Sequence, residues 1–208
     1  MKTLFMKFPY LSGTVTAGVM VAILLSGCAT HRYAPADSYA RQDRIDVMKY
    51  GDDWFAAARA GRGDILQALH EAGYPIDAKT PDGYTALVLA AYNDHAPAVK
   101  QLIAAGADAC AADKRGNTAL MGALFKGEND IATLLMDTRC DIDQVNNAGE
   151  TALGFATLFG RTDMLAPLVA HGANPNHLDA RGGTPLQLAQ EQRTPEVAAA
   201  LRRVGATQ

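Results

Sequence analysis

Serine is nearly missing from this chain. Ser12, Ser26 and Ser38 are its only three among 208 residues, so nothing beyond residue 38 offers a serine nucleophile. Cysteine is as scarce: Cys28 stands near the front, and Cys110 and Cys140 lie in the body with no histidine spaced to activate either thiol. His171 and His177 lie six apart with Asp179 beside them, but no second pair of ligands accompanies them, so a metal site is not expected. No glycine-rich phosphate loop follows a strand-like run. Asp94, Asp130 and Asp163 recur at turn-like positions and read as caps and solvated turns. No basic run appears and the net charge is −3, which argues against a nucleic-acid partner. An enzyme, a cofactor and a small-molecule substrate are all absent from the expectation.

The front of the chain reads as a targeting segment. Lys2 and Lys7 form a basic start, and residues 15–25 are an apolar stretch without a charge, too short to span a bilayer, which needs roughly 20 residues. It ends in Leu25-Ser26-Gly27-Cys28, which resembles the lipobox of bacterial lipoproteins. The resemblance implies cleavage before Cys28, lipidation of its thiol, and a mature chain beginning there. Ala29 in the next place implies anchoring at the periplasmic side of the outer membrane. Acyl chains at ~0.8 kcal/mol per methylene hold such a protein firmly. Removing residues 1–27 takes two of the 19 basic residues and no acid, leaving 17 against 22, a net of −5. Residues 28–49 read as the lipidated Cys and a polar tether, with Ile45, Val47 and Met48 the few apolar residues of a short leading helix over 38–50. In an oxidising compartment Cys110 and Cys140 are either bridged or two half-buried thiols. They sit three positions out of step, which leaves both arrangements open.

What the chain has in abundance is repetition. Thr85-Ala86-Leu87-Val88-Leu89-Ala90 returns at intervals of 33 residues as the segments beginning at Thr118, Thr151 and Thr184. A fixed period of this size means a supersecondary unit that buries its apolar face only by stacking on copies of itself. Asp82-Gly83 opens the unit with a turn, and Thr85 acts as N-cap of a first helix. Leu87 and Ala90 mark that helix's buried face, and Val99, Leu102 and Ile103 that of a second. Gly106, Gly172 and Gly205 stop the second helices. The pattern resembles the ankyrin repeat over residues 50–208. It implies an all-α solenoid of about five helix–turn–helix repeats with hairpin loops: a cap repeat 50–81, then 82–114, 115–147 and 148–180, and a polar cap 181–208. In the leading cap Trp54 replaces Leu87. Three departures stand out. Arg139 occupies a stop-glycine position, where a left-handed non-glycine costs roughly 1 kcal/mol, so the loop is reshaped or strained. Pro97 and Pro195 fall harmlessly near helix starts. Pro167 falls inside a second helix and predicts a kink or a shortening.

The resemblance also implies where a partner binds: a concave groove lined by first helices and hairpin tips. Successive repeats place Arg59, Tyr92, Phe125, Leu158 and Glu191 at one contact position and Ala60, Asn93, Lys126, Phe159 and Gln192 at the next. Tyr84, Asn117, Glu150 and Gly183 follow the turn glycine, and Asp82, Lys114, Arg115, Asn147 and Arg181 form the tips. Tyr92, Phe125, Leu158 and Phe159 then make an apolar strip within a polar rim, the pattern of an interaction hot spot. Phe125 and Leu158 fit equally a position folded onto the neighbouring repeat. Five repeats at ~10 Å each give a groove of roughly 50 Å, ample for ~800 Å² of interface per partner. The expected function is capture of one protein partner. The specific role expected is an immunity protein against a periplasm-targeted toxin such as a lipase. A periplasmic helper of a resident antioxidant enzyme and an envelope assembly factor are the alternatives.

Overall fold

In the computed structural model the described residues are 46–207. The apolar leader, Cys28 and the tether up to residue 45 lie outside them. Asp46 accepts the Met48 N–H at 3.2 Å and opens a 3₁₀ turn, Val47–Tyr50, that runs straight into the first helix. Ten α-helices follow in five antiparallel pairs: α1 (Gly51–Arg59) with α2 (Gly63–Glu71), α3 (Ala86–Tyr92) with α4 (Ala96–Ala104), α5 (Ala119–Lys126) with α6 (Asn129–Met136), α7 (Ala152–Leu158) with α8 (Thr162–Ala170), and α9 (Pro185–Glu191) with α10 (Pro195–Arg203). Odd-numbered helices pack on one another along the array and even-numbered ones form a second row. No strand occurs among the described residues. The structure is an all-α repeat solenoid.

Local chemistry explains each pair. Thr85, Thr118, Thr151 and Thr184 are extended, buried, and accept the N–H three residues on, from Val88, Met121, Gly154 and Gln187. Each such cap contributes about 1 kcal/mol. Behind the caps, Ala90, Ala91, Ala123 and Ala156 are fully buried and let helices approach closely, while Leu87, Leu124 and Leu153 fill the space between repeats. The first repeat lacks a threonine cap. Trp54, wholly buried, takes up its end volume against Tyr74, ring centroids 5.1 Å apart. Pro97, Pro185 and Pro195 occupy first-turn positions, where no N–H is needed. Pro167 does not shorten its helix: α8 keeps nine residues, as α2, α4 and α10 do. The carbonyl of Pro167 is used instead, by the His171 N–H at 3.0 Å and the His171 ring at 2.8 Å.

Second helices end alike except once. After Gly106, Gly172 and Gly205, all left-handed, the next N–H closes back on Leu102, Leu168 and Leu201. In the third repeat Arg139 does not take the left-handed conformation. Thr138 reaches back instead, its hydroxyl donating to the Leu135 carbonyl at 2.6 Å, so the loop is reshaped and not strained.

Neighbouring repeats are also tied at their fingers. The N–H groups of Lys114, Asn147 and Ala180 bond to the carbonyls of Asp82, Arg115 and Ala148. A β-carbon on Gly83, Gly116 or Gly149 would come within 2.8, 2.8 and 2.5 Å of the next finger's backbone, and each has positive φ, so only glycine fits. Gly182, in the last finger, has nothing within 4 Å. Below the fingers a second tie recurs. Asp77, Asp143 and Asn176 accept the N–H of the residue 31 places on, from Asp108, Asn174 and Thr207. The corresponding residue between the second and third repeats is Cys110, which cannot take that role. Cys110 is joined to Cys140 instead, with Cα atoms 5.3 Å apart. Of the two arrangements open from sequence, the bridge is the one formed.

Candidate functional site

The concave face carries a cleft of about 880 Å³ along the first four repeats. Tyr92 and Phe125, at the C-terminal ends of α3 and α5, stack with centroids 5.8 Å apart and planes 12° from parallel. Phe159 meets Phe125 edge to face at 4.7 Å and leans on Phe155 at 5.7 Å. Tyr92 and Phe125 are each 39% exposed, large values for rings of this size. Leu158 and Phe159 are half-buried, and Phe159 packs against the core as well as facing the cleft. The 33-residue spacing sets neighbouring rings one repeat apart, close enough to touch. Such aromatic contacts contribute about 0.5–1.5 kcal/mol beyond burial, and they form a continuous apolar floor.

The walls are polar and largely held in place by their own hydrogen bonds. Asp113 accepts the N–H groups of Arg115 and Asn117 at 2.8 Å each. Asn146 accepts from Ala148 and Glu150, and its amide donates to both the Asn117 side chain and the Glu150 carboxylate at 3.0 Å. Asn117 and Glu150, both half-buried, thus belong to a network that stiffens the finger wall. Asn93 caps its own helix, donating to Leu89 at 2.7 Å. Lys126 stands over the Tyr92 ring at 5.0 Å, the position for a cation–π contact.

Of the residues expected at the groove, Arg59, Tyr84, Tyr92, Asn93, Arg115, Asn117, Phe125, Glu150, Leu158 and Phe159 line this one cleft. Lys114 and Lys126 lie outside its lining, Lys126 flanking it through Tyr92. Glu191 is not part of it; it borders a separate shallow depression with Arg181 on the last repeat. Val88, Leu89, Gly122, Phe155, Asn146 and Ala148 were not anticipated. A signal for three of them exists in the register, since Leu89, Gly122 and Phe155 share one repeat position, a turn ahead of the aromatic one.

Other candidates resolve into structure. His95 donates from Nε2 to the Arg59 carbonyl at 2.8 Å across a repeat joint. Arg161 does the same for Leu124 and Phe125, at 2.9 and 2.7 Å. His171 reaches Asp137 of the previous repeat at 3.3 Å, and its bonds to the Pro167 carbonyl and to Asp137 raise its pKa above the ordinary histidine value. His177 lies 3.2 Å from the Gly149 carbonyl, and no group of metal-ligating residues forms among the described residues.

An open, aromatic-floored trough on a stack of helical hairpins defines a repeat module for macromolecular recognition. A family model of three consecutive ankyrin repeats matches residues 54–146 and again 127–207, and the chain belongs to the ankyrin-repeat family. The family's repeats serve protein–protein interaction and are characteristically non-catalytic. No curated protein matches the chain.

Proposed function

We infer that the chain is an envelope lipoprotein that holds one protein partner in the concave cleft. Its specific role on this reading is immunity: it covers the active-site mouth of an antibacterial enzyme delivered to the periplasm, such as a lipase, and excludes the substrate. The observation that carries partner capture is the exposed Tyr92–Phe125–Phe159 ladder over about 880 Å³ of cleft. A large, solvent-facing aromatic floor with a polar rim is costly for a free surface and is what an interface centre requires. The Leu25-Ser26-Gly27-Cys28 motif supports lipid anchoring, and the Cys110–Cys140 bond supports an oxidising compartment.

Two experiments test this reading. A benzoyl-phenylalanine photocross-linker at position 125 should trap a single partner in cells. The trapped band should vanish when Tyr92→Ala is added, with helical circular dichroism unchanged; no cross-link would sink the docking surface. A resident enzyme in that band would replace immunity with the helper role. Labelled palmitate should enter the full chain and be lost in Cys28→Ala; a chain that stays unlabelled is not a lipoprotein.

A further inference from the structure

The floor of the cleft has a hole in it. Gly122 lies in the middle of α5, where glycine is the poorest helix former after proline. Its φ is not in the left-handed region, and an added β-carbon would meet nothing nearer than Tyr92 Cδ2 at 3.9 Å. Neither the backbone nor the packing of this chain asks for glycine here. Its register partners are Leu89 and Phe155, so the missing side chain leaves a gap between two large ones, with the Tyr92 and Phe125 rings beside it.

Two cations and two carboxylates line the cleft around that gap, and two further cations flank it. Arg59 and Arg115 line the cleft, Lys126 stands over Tyr92, and Lys114 sits at the finger tip. None of these four cations joins an ion pair among the described residues. The carboxylates of the same cleft, Asp113 and Glu150, already accept hydrogen bonds from their own wall. On a chain of net charge −3 this is a local reversal. Unpaired cations on both walls favour negative charge between them and speed its arrival.

We propose that the segment taken by the cleft is an acidic protein loop carrying one large apolar side chain seated over Gly122. Its carboxylates lie between Arg59 on the helical wall and Arg115 on the finger wall, with Lys126 and Lys114 flanking the cleft. The proposal rests on the reading of the cleft as a protein-docking surface. A nucleic-acid strand would also welcome cations and rings, but stacking needs a free ring face. Here the rings already engage one another: Tyr92 stacks with Phe125 and carries Lys126 over it, and Phe125 also meets Phe159 edge to face.

The test titrates the oxidised protein with fluorescent synthetic peptides of about a dozen residues. One has a Phe centre with Asp and Glu flanks, one the same flanks with an Ala centre, and one a Phe centre with Lys and Arg flanks; oligothymidylate is the fourth probe. The acidic Phe peptide should bind at least about tenfold tighter than the other three. Gly122→Leu should erase the preference for Phe over Ala, and Gly122→Ala, which fills part of the gap, should weaken it. Arg59→Glu with Arg115→Glu should erase the preference for acidic flanks, and neither change should lower the melting temperature. Equal or tighter binding of the basic peptide or the oligonucleotide overturns the proposal, as does no binding by any probe or an indifferent Gly122→Leu. The cross-link at position 125 makes no assumption about charge. A partner trapped there through a neutral or basic segment removes the acidic-loop proposal and leaves the docking surface standing.

Discussion

Glu128 shows how much a single position can differ from its register mates. His95 and Arg161 stand in the same place of neighbouring repeats and donate to carbonyls at the end of the preceding first helix. A carboxylate cannot donate. Glu128 is half-buried beside Asp94, and desolvation and that like charge raise its pKa above the ordinary carboxylate value. A carboxyl whose folded pKa is raised weakens the fold at pH values above that pKa. The penalty fades as pH falls and is gone below the unfolded value, near 4.3. Glu128→Gln should therefore raise the melting temperature near pH 7, with the gain shrinking to nothing below about pH 4. An equal gain at both pH values would show that charge is not the cause. The threonine caps were legible in the sequence because a cap is a matter of three residues. The odd chemistry of Glu128 was not, because it depends on which carbonyl lies across the joint.

At the scale of the element, the joint between the second and third repeats is an exception at three positions. It has Glu128 where the joints on either side have the donors His95 and Arg161, Arg139 where others have the stop glycine, and Cys110 where others have Asp or Asn. The disulfide stands in for the missing ties. Closing a loop of 30 residues contributes about 3.6 kcal/mol. Cys110→Ser with Cys140→Ser should lose about that much in urea unfolding and speed amide exchange around residues 138–141. A double serine variant as stable as the parent would show that the bond is incidental. Helix order and the Arg139 anomaly could be read from the 33-residue register. The bridge could not: an offset of three positions is decided by the path of two irregular loops. Pro167 was expected to kink or shorten α8, and it does not shorten it, since the helix keeps nine residues as α4 and α10 do.

Over the whole molecule, one core runs through all five pairs, and the end repeats differ as ends should. Trp54 and Tyr74 close one end, while α10 turns Arg202 and Arg203 outward at the other. The cleft inherits this continuity, since Tyr92, Phe125 and Phe159 come from three successive repeats. Most of its lining was legible because first-helix residues in register must share a face. Gly122 was missed because a glycine is read as a turn or a packing need, and here it is neither. Charge was missed for a related reason. The chain is acidic on average, and only the folded arrangement gathers Arg59, Arg115 and Lys126 around one trough. Partner capture belongs to this scale: no single repeat holds a complete site.

The Cys110–Cys140 bond ties the joint between the second and third repeats, the same two repeats whose first helices carry Tyr92 and Phe125. With the thiols reduced, α3 would still pack on α5 and the other three joints would keep their side-chain ties. Reducing agent should therefore loosen this molecule at one seam and leave its remaining joints as they are.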